Sequence, residues 1–264
     1  MRRADPRHAQ DSGELPPVAE GALLGVDRFV SSEKNLAEFD IFSADYQELV
    51  TRSVRIAGET SDYFAAYKAE YVARKLAPRP GYKLLDYGCG VGLLAGHLKN
   101  HLGQVRIDGF DVSKDSVERI DKVLRDQGTF SARMEDLGRD YDLIVLSNVL
   151  HHVKPEERQS LIRGLAPLLA GDGKVVVFEH NPLNPLTRWA VSQCPFDEGA
   201  TLLPVREVRG YLSGDCFREL SRDYIVFFPR WLAWLRRLEP SLAWCPLGAQ
   251  YVVVASTGHS RLTV

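Results

Sequence analysis

The 264 residues are enough for one α/β domain with a sizeable core and additional segments. Apolar residues make up 45% and charged residues 26%, and the net charge of -2 carries no basic excess that would argue for a nucleic-acid substrate. No apolar run reaches the roughly 18 residues of a membrane-spanning helix, the Met1-Arg2-Arg3 start has no apolar core behind it to form a signal peptide, and the four cysteines form no CxxC pair, which favours a reducing, cytoplasmic setting.

Residues 1–26 are polar, carry Pro6, Pro16 and Pro17, and read as a poorly ordered tail. Residues 27–78 read as an N-terminal helical extension. Apolar positions recur at helical spacing from Asn35 to Ile56, and a second helix is predicted from Asp62 to Leu76, stopped by Pro78 and Pro80. From residue 79 to 264 strands and helices alternate. The spacing predicts a strand at Tyr82–Asp86, a helix at Val91–His101, a strand at Val105–Asp111 and a helix at Lys114–Arg125. Further strands are predicted at Thr129–Met134, Tyr141–Ser147 and Lys174–Glu179, with a helix at Pro155–Leu169. This alternation implies βαβ units and a parallel sheet. A long loop over Asn181–Leu203, a helix at Val205–Leu212 and two β-like runs at Asp223–Phe228 and Gln250–Ala255 complete the chain.

Leu84-Leu85-Asp86-Tyr87-Gly88-Cys89-Gly90-Val91-Gly92 is the most informative stretch. A buried strand ends in an acid, glycines follow at alternate positions, and a helix begins at once. Such a turn lets a nucleotide-like ligand approach the backbone. Counted from Gly90, the residues satisfy the dinucleotide pattern GxGxxG/A; counted from Asp86, they give DxGxGxG, a pattern for S-adenosylmethionine (SAM). Either ligand calls for an acid at the end of the second strand, and Asp111 fills that position.

Three blocks in order resemble the class I SAM-dependent methyltransferases. They are the glycine stretch itself, Gly109-Phe110-Asp111-Val112-Ser113, and Tyr141 to His152 with its Ser147-Asn148-Val149-Leu150-His151-His152 ending. The run from Phe39-Asp40 to Tyr46 is similar to the FDxxAxxY helix that often precedes this domain. The resemblance implies a Rossmann-like, mostly parallel seven-stranded sheet of order 3-2-1-4-5-7-6 with an antiparallel last strand. It implies SAM as cofactor, S-adenosylhomocysteine (SAH) as product, and no metal. It assigns the cofactor site to Asp86, Gly88, Cys89, Gly90, Gly92, Asp111, Val112, Met134, Glu135, Asp136 and Asn148. Of these, Asp86 would face the donor's ammonium, Asp111 the ribose hydroxyls, Met134 to Asp136 the adenine, and Asn148 the methionyl part. Ala132-Arg133-Met134 departs from the Gly-Asp-Ala that many relatives carry before the adenine contact.

Methyl transfer is an in-line displacement, so alignment of acceptor, methyl and sulfur is the main task. An alcohol or phenol also benefits from a general base, for which histidine is suited. His151 and His152 follow the fourth strand and His180 follows the fifth, at strand ends that face the ligand crevice of an open sheet. Neighbouring residues on a helix diverge by about 100°, so at most one of His151 and His152 is expected to face substrate, and either can instead serve local packing and hydrogen bonding. The loop over Asn181–Leu203 offers Arg188, Trp189 and Asp197 as substrate contacts, or else packs as ordinary surface.

Residues 227–238 predict a short amphipathic helix, with Trp231, Trp234, Leu235 and Leu238 on one face. Such a segment suits an anionic membrane surface, a hydrophobic acceptor pocket, a partner subunit, or burial on the sheet between the last two strands. The stretch from Asn181 to Asp197, with the closing Pro246 to Tyr251, resembles uncharacterised bacterial methyltransferases of lipid or glycan pathways. The sequence reading is therefore a cytoplasmic SAM-dependent methyltransferase, with peripheral membrane contact as an option. Its acceptor is a small molecule, apolar or lipid-linked, with O-methylation favoured and no nucleic-acid partner. The alternatives are a SAM-binding module without turnover and a nicotinamide-dependent oxidoreductase.

Overall fold

The computed structural model describes residues 58–194, 200–214 and 216–257. The expected tail, the expected helix over 35–56 and Asp197 lie outside the described residues.

Helix α1 (Ser61–Leu76) starts where the Thr60 hydroxyl accepts the Tyr63 amide at 3.3 Å and ends at Ala77, whose φ is 42°. Then come β1 (Lys83–Tyr87), α2 (Leu93–Leu102) and β2 (Arg106–Phe110). The helix expected at Lys114–Arg125 is two short helices, α3 (Lys114–Glu118) and α4 (Lys122–Arg125). Its break follows from competing caps: Ser113 accepts the Ser116 amide at 3.1 Å, and Asp121 accepts the Val123 amide at 2.7 Å. The third strand shrinks to β3 (Phe130–Ser131), and β4 (Tyr141–Ser147) matches its expected range. Helix α5 (Pro155–Leu165) gives way to a 3-10 turn at Ala166–Leu168, because Pro167 has no amide to continue the α ladder.

Strand β5 (Leu169–His180) begins five residues earlier than expected and bulges between Tyr141 and Leu143 of β4. The expected loop over Asn181–Leu203 contains a helix, α6 (Pro185–Ser192). Its signal is local: Asn184 accepts the Thr187 amide at 3.1 Å, and Pro185 takes the first helical position. Next are α7 (Val205–Tyr211) and β6 (Phe217–Ile225). β6 starts six residues before the expected Asp223 because its Arg-Glu-Leu-Ser-Arg stretch is an edge strand with a polar outer face. The predicted amphipathic helix at 227–238 is a 3-10 turn segment over Arg230–Leu238, interrupted at Leu232, and is followed by α8 (Glu239–Leu242) and β7 (Gln250–Thr257).

The sheet order is β3-β2-β1-β4-β5-β7-β6, as the motif resemblance implied. β1 to β5 pair in parallel and β7 runs antiparallel to both β5 and β6. Alternate residues of each central strand feed opposite cores. Ile144, Leu146, Val175 and Val177 pack with α5 and α7 through Leu161, Ile162, Leu165 and Val208. Leu143, Val145, Val176 and Phe178 pack with α1 and α2 through Ala69, Val72, Leu94, Ala95 and Leu98. A three-layer sandwich results, and it fixes the carboxyl ends of β1, β2, β4 and β5 along one rim. No helix among the described residues is long and apolar enough to cross a membrane.

Candidate functional site

A cavity of about 490 Å³ opens at that rim, where the strand order reverses between β1 and β4. Open parallel sheets bind ligands at such a switch point. One half of the cavity is built by the glycine loop. Gly88 has φ +79° and its Cα faces Val149 so closely that a β-carbon would sit 2.5 Å from Cγ2. Gly90 has φ +51°, and a β-carbon there would enter open space on the cavity side. The loop's amides are engaged within the fold. Gly88 and Cys89 donate to the Phe110 carbonyl at 2.7 and 2.9 Å, and Gly92 donates to the Cys89 carbonyl at 2.9 Å. Gly90 donates to Asp111 Oδ2 at 2.7 Å, while Ser113 donates to Asp111 Oδ1 at 2.9 Å. Asp111 and Val112 both line the cavity beside the loop.

Asp86, at the end of β1, is 1% exposed, and its Oδ2 has no hydrogen-bond partner. Burial raises its carboxyl to about 7, with the Asp111 charge adding to the shift and the Lys68 ammonium opposing it. Asn148 ends β4 at φ 59°, donates its amide to the Phe178 carbonyl at 2.9 Å, and keeps a buried Oδ1 without a partner. Gln250, at the start of β7, has a buried Oε1 in the same condition. All three residues line the cavity. Buried polar groups left unpaired cost about 1–3 kcal/mol each, so three around one cavity favour a polar ligand there. The donor set fits SAM: a carboxylate for an ammonium, a second acid for ribose hydroxyls, and a glycine turn with room at Gly90.

Met134, Glu135 and Asp136 behave differently. They form a 3-10 turn after β3 and do not line the cavity. Glu135 pairs with Arg133, Asp136 accepts the Ser131 hydroxyl at 2.5 Å, and Met134 is buried. Arg133, part of the departure from Gly-Asp-Ala, holds Glu135 in an exposed ion pair.

The other half of the cavity holds the histidines. His151 and His152 lie on a 3-10 turn (Leu150–His152), with ring centroids 4.1 Å apart, and His180 lies 5.2 Å from His151. All three line the cavity. His151 is 2% exposed, and its Nδ1 lies 2.6 Å from Glu179 Oε2; Glu179 Oε1 accepts the Leu150 amide at 2.7 Å. Burial by itself would raise the Glu179 carboxyl, but the charge and hydrogen bond of His151, then His180 and the Leu150 amide, hold it below the usual carboxylate range. A buried carboxylate therefore fixes the orientation of one imidazole, the arrangement used for general bases. Glu179 was legible as the residue before His180 at the end of a buried strand, although its partner turns out to be His151.

The acceptor-side wall comes from α6 and from the stretch between Val226 and Trp231 that follows β6. Leu186, Thr187, Ala190, Val191 and Trp231 line the cavity. Arg188 and Trp189, the expected substrate contacts, lie on the outward face of α6 because helical geometry turns residues 186, 187, 190 and 191 inward. The cavity also has a residue that helical periodicity concealed: Lys68 of α1, buried to 3% exposure, with its Nζ donating to Ser147 Oγ at 2.8 Å. Among the described residues no cluster of three or more metal-ligating side chains is present.

Residues 85–175 match a family model described as a methyltransferase domain. An uncharacterized methyltransferase of Schizosaccharomyces pombe is 29% identical over 114 residues, covering 38% of this chain and 39% of that protein. The ribosomal RNA small subunit methyltransferase C of Klebsiella pneumoniae is 32% identical over 108 residues, covering 38% of this chain and 32% of that protein. The chain thus spans well under half the length of these curated relatives. Among solved structures, magnesium protoporphyrin IX methyltransferase of Synechocystis, crystallised with bound SAH, superposes with a TM-score of 0.57 at 17% identity, covering 85% of this chain and 99% of that one.

Proposed function

We propose that this chain, whose residues 85–175 carry a methyltransferase domain, transfers a methyl group from SAM to a small-molecule acceptor. One observation carries this reading: a single cavity joins a glycine-lined half, where Asp86 Oδ2 has no hydrogen-bond partner, to a half with the Glu179–His151 pair. When bound, the donor supplies an electrophilic methyl group on a sulfonium. Asp86 holds its ammonium, and Asp111 takes the ribose hydroxyls alongside its own backbone bonds. Glu179 orients the His151 ring and offsets the positive charge that ring gains on taking the acceptor's proton. α6 and Trp231 give the acceptor an apolar wall.

The same arrangement favours O-methylation, because a base fixed by a buried acid suits a hydroxyl that loses its proton as the new C–O bond forms. The acceptor side favours an apolar or lipid-linked molecule. All four tryptophans of the chain are at least 45% exposed: Trp189 on α6, Trp231 and Trp234 in the 230–238 segment, and Trp244 beyond it. Arg188, Arg230 and Arg237 stand exposed among them, and the acid of the 230–248 stretch, Glu239, is buried against Tyr67. Arginine beside exposed tryptophan suits peripheral contact with an anionic lipid surface. Cys89, Cys194, Cys216 and Cys245 form no disulfide with one another.

Calorimetric titration with SAM, SAH and NAD tests the donor, and labelled-methyl transfer to a panel of hydroxylated apolar acceptors tests the reaction. SAM and SAH are expected to bind and NAD to fail. Absence of SAM and SAH binding at millimolar ligand overturns the reading; binding without any labelled product would favour a module without turnover.

A further inference from the structure

Lys68 is an ammonium in a place that ordinarily excludes one. It projects from α1, which precedes the matched domain, to the floor of the cavity. Its side chain crosses the Phe178 ring, with Nζ 5.7 Å from the centroid. Among the described residues its hydrogen-bond partner is Ser147 Oγ, and no carboxylate comes within ion-pair distance of it. A lysine carries three donors, and the bond to Ser147 accounts for one. The two nearby acids that act on it electrostatically are Glu179 and Asp86. Glu179 is committed to His151 and the Leu150 amide; Asp86 Oδ2 has no partner. The cavity is therefore lined by a buried ammonium and a buried carboxylate that act on each other electrostatically without forming an ion pair, and both are incompletely matched.

An α-amino acid carries the complementary pair of charges on one carbon. We propose that Lys68 receives the α-carboxylate of the methyl donor while Asp86 receives its α-ammonium, so that the two side chains form a clamp for the zwitterion. This inference rests on the SAM reading above and adds a contact from outside the methyltransferase domain. Burial lowers Lys68 to about 8, with Glu179 and then Asp86 pulling it back. The ammonium is thus strained by desolvation, and a ligand carboxylate at hydrogen-bond distance relieves that strain. Ala65, Ala69 and Val72, buried on the same helix, hold α1 against the sheet and Lys68 in place.

The test compares SAM with decarboxylated SAM, which keeps the sulfonium, the adenosine and the ammonium but has no carboxylate. In calorimetry the wild-type protein should prefer SAM by about tenfold or more, the effect of one charge-assisted hydrogen bond. Lys68→Met should lose that preference, chiefly by weakening SAM, and should bind decarboxylated SAM as wild type does. A merely structural lysine gives another pattern, in which Lys68→Met weakens both ligands alike. That result, or equal affinity of the wild-type protein for both ligands, overturns the clamp. If Lys68→Met does not fold, Lys68→Gln keeps a donor for Ser147 without the charge, and full discrimination in that variant is equally fatal. Failure of the wild-type protein to bind either ligand is a distinct outcome, because it removes the donor reading itself.

Discussion

The two halves of the cavity are built on different plans. The donor half is made of strand ends and the turn after β1, and its polar atoms are buried: Asp86, Asn148 and Gln250 each keep an oxygen without a partner. The acceptor half is made of segments inserted between strands, α6 between β5 and β6 and the 230–238 stretch between β6 and β7, and it exposes Trp189, Trp231, Trp234 and Leu186. Sheet topology dictates the first half, since the reversal of order at β1 and β4 creates the crevice whatever the connections are. The second half is free to differ because no ladder of hydrogen bonds constrains it.

If the halves divide the work in this way, substitutions should separate turnover, donor affinity and surface contact. The largest effect is expected at the Glu179–His151 pair. Glu179→Gln or His151→Ala should lower labelled-methyl turnover by about 10²–10⁴-fold, the range of general acid–base catalysis, with SAH affinity changed by less than about threefold. Turnover that survives in both variants but is lost in His180→Ala would transfer the base to His180.

Asp111→Ala should raise the SAH dissociation constant by about ten- to a hundredfold, as loss of charged hydrogen bonds predicts. An unchanged constant would remove Asp111 from ribose binding and leave it as the staple between Gly90 and Ser113.

A pH series probes Asp86. Its carboxyl is raised to about 7, so below that value it is protonated and has no charge to offer an ammonium. SAH affinity should therefore rise with pH, on the order of tenfold between about 5.5 and 7. Asp86→Asn should flatten the acidic limb; an unaltered profile in that variant would assign the titration elsewhere.

The smallest effect belongs to the rim. Trp234→Ser with Trp244→Ser should reduce co-sedimentation with anionic phospholipid vesicles by several-fold, roughly what the loss of two interfacial aromatic side chains implies, and leave SAH affinity unaltered. Equal binding by wild type and variant would leave the tryptophans as ordinary surface, and binding to neutral vesicles alone would remove the arginines from the account.

The same division governed what the sequence revealed. β1, β2 and β4 were legible because central parallel strands are apolar on both faces and end beside glycine or asparagine turns. Asp86, Gly88, Cys89, Gly90, Asp111, Asn148, His151 and His152 stand at the ends of these strands and line the cavity, as does His180 at the end of β5, whereas Gly92 faces Ile120 and Leu124 instead. The edge strand β6 was read short because its outer face is polar. Helix α6 reads as loop because Asn181, Pro182 and Asn184 precede it and Pro185 opens it, a signal that marks a cap as readily as a turn. The Trp231-Trp234-Leu235-Leu238 spacing suggested a buried or docked face, but the break at Leu232 puts Trp231, Trp234 and Leu238 in solvent. Lys68 was invisible in principle. A lysine on an amphipathic helix reads as solvated, and only the packing of α1 over the β4 and β5 ends turns it inward.

Asn181 has a consequence for how this protein changes over time or in the laboratory. Its side chain donates to the Pro246 and Gly248 carbonyls at 3.0 and 2.8 Å and accepts the Leu183 amide at 3.1 Å, while Asn184 and Thr187 donate to the Leu247 and Ala249 carbonyls at 2.7 and 2.9 Å. Two stretches some sixty residues apart in the chain are thereby one mechanical unit. A transplant of acceptor preference between relatives would have to carry both stretches and this seam together, since either one grafted alone would leave backbone carbonyls of the other without donors.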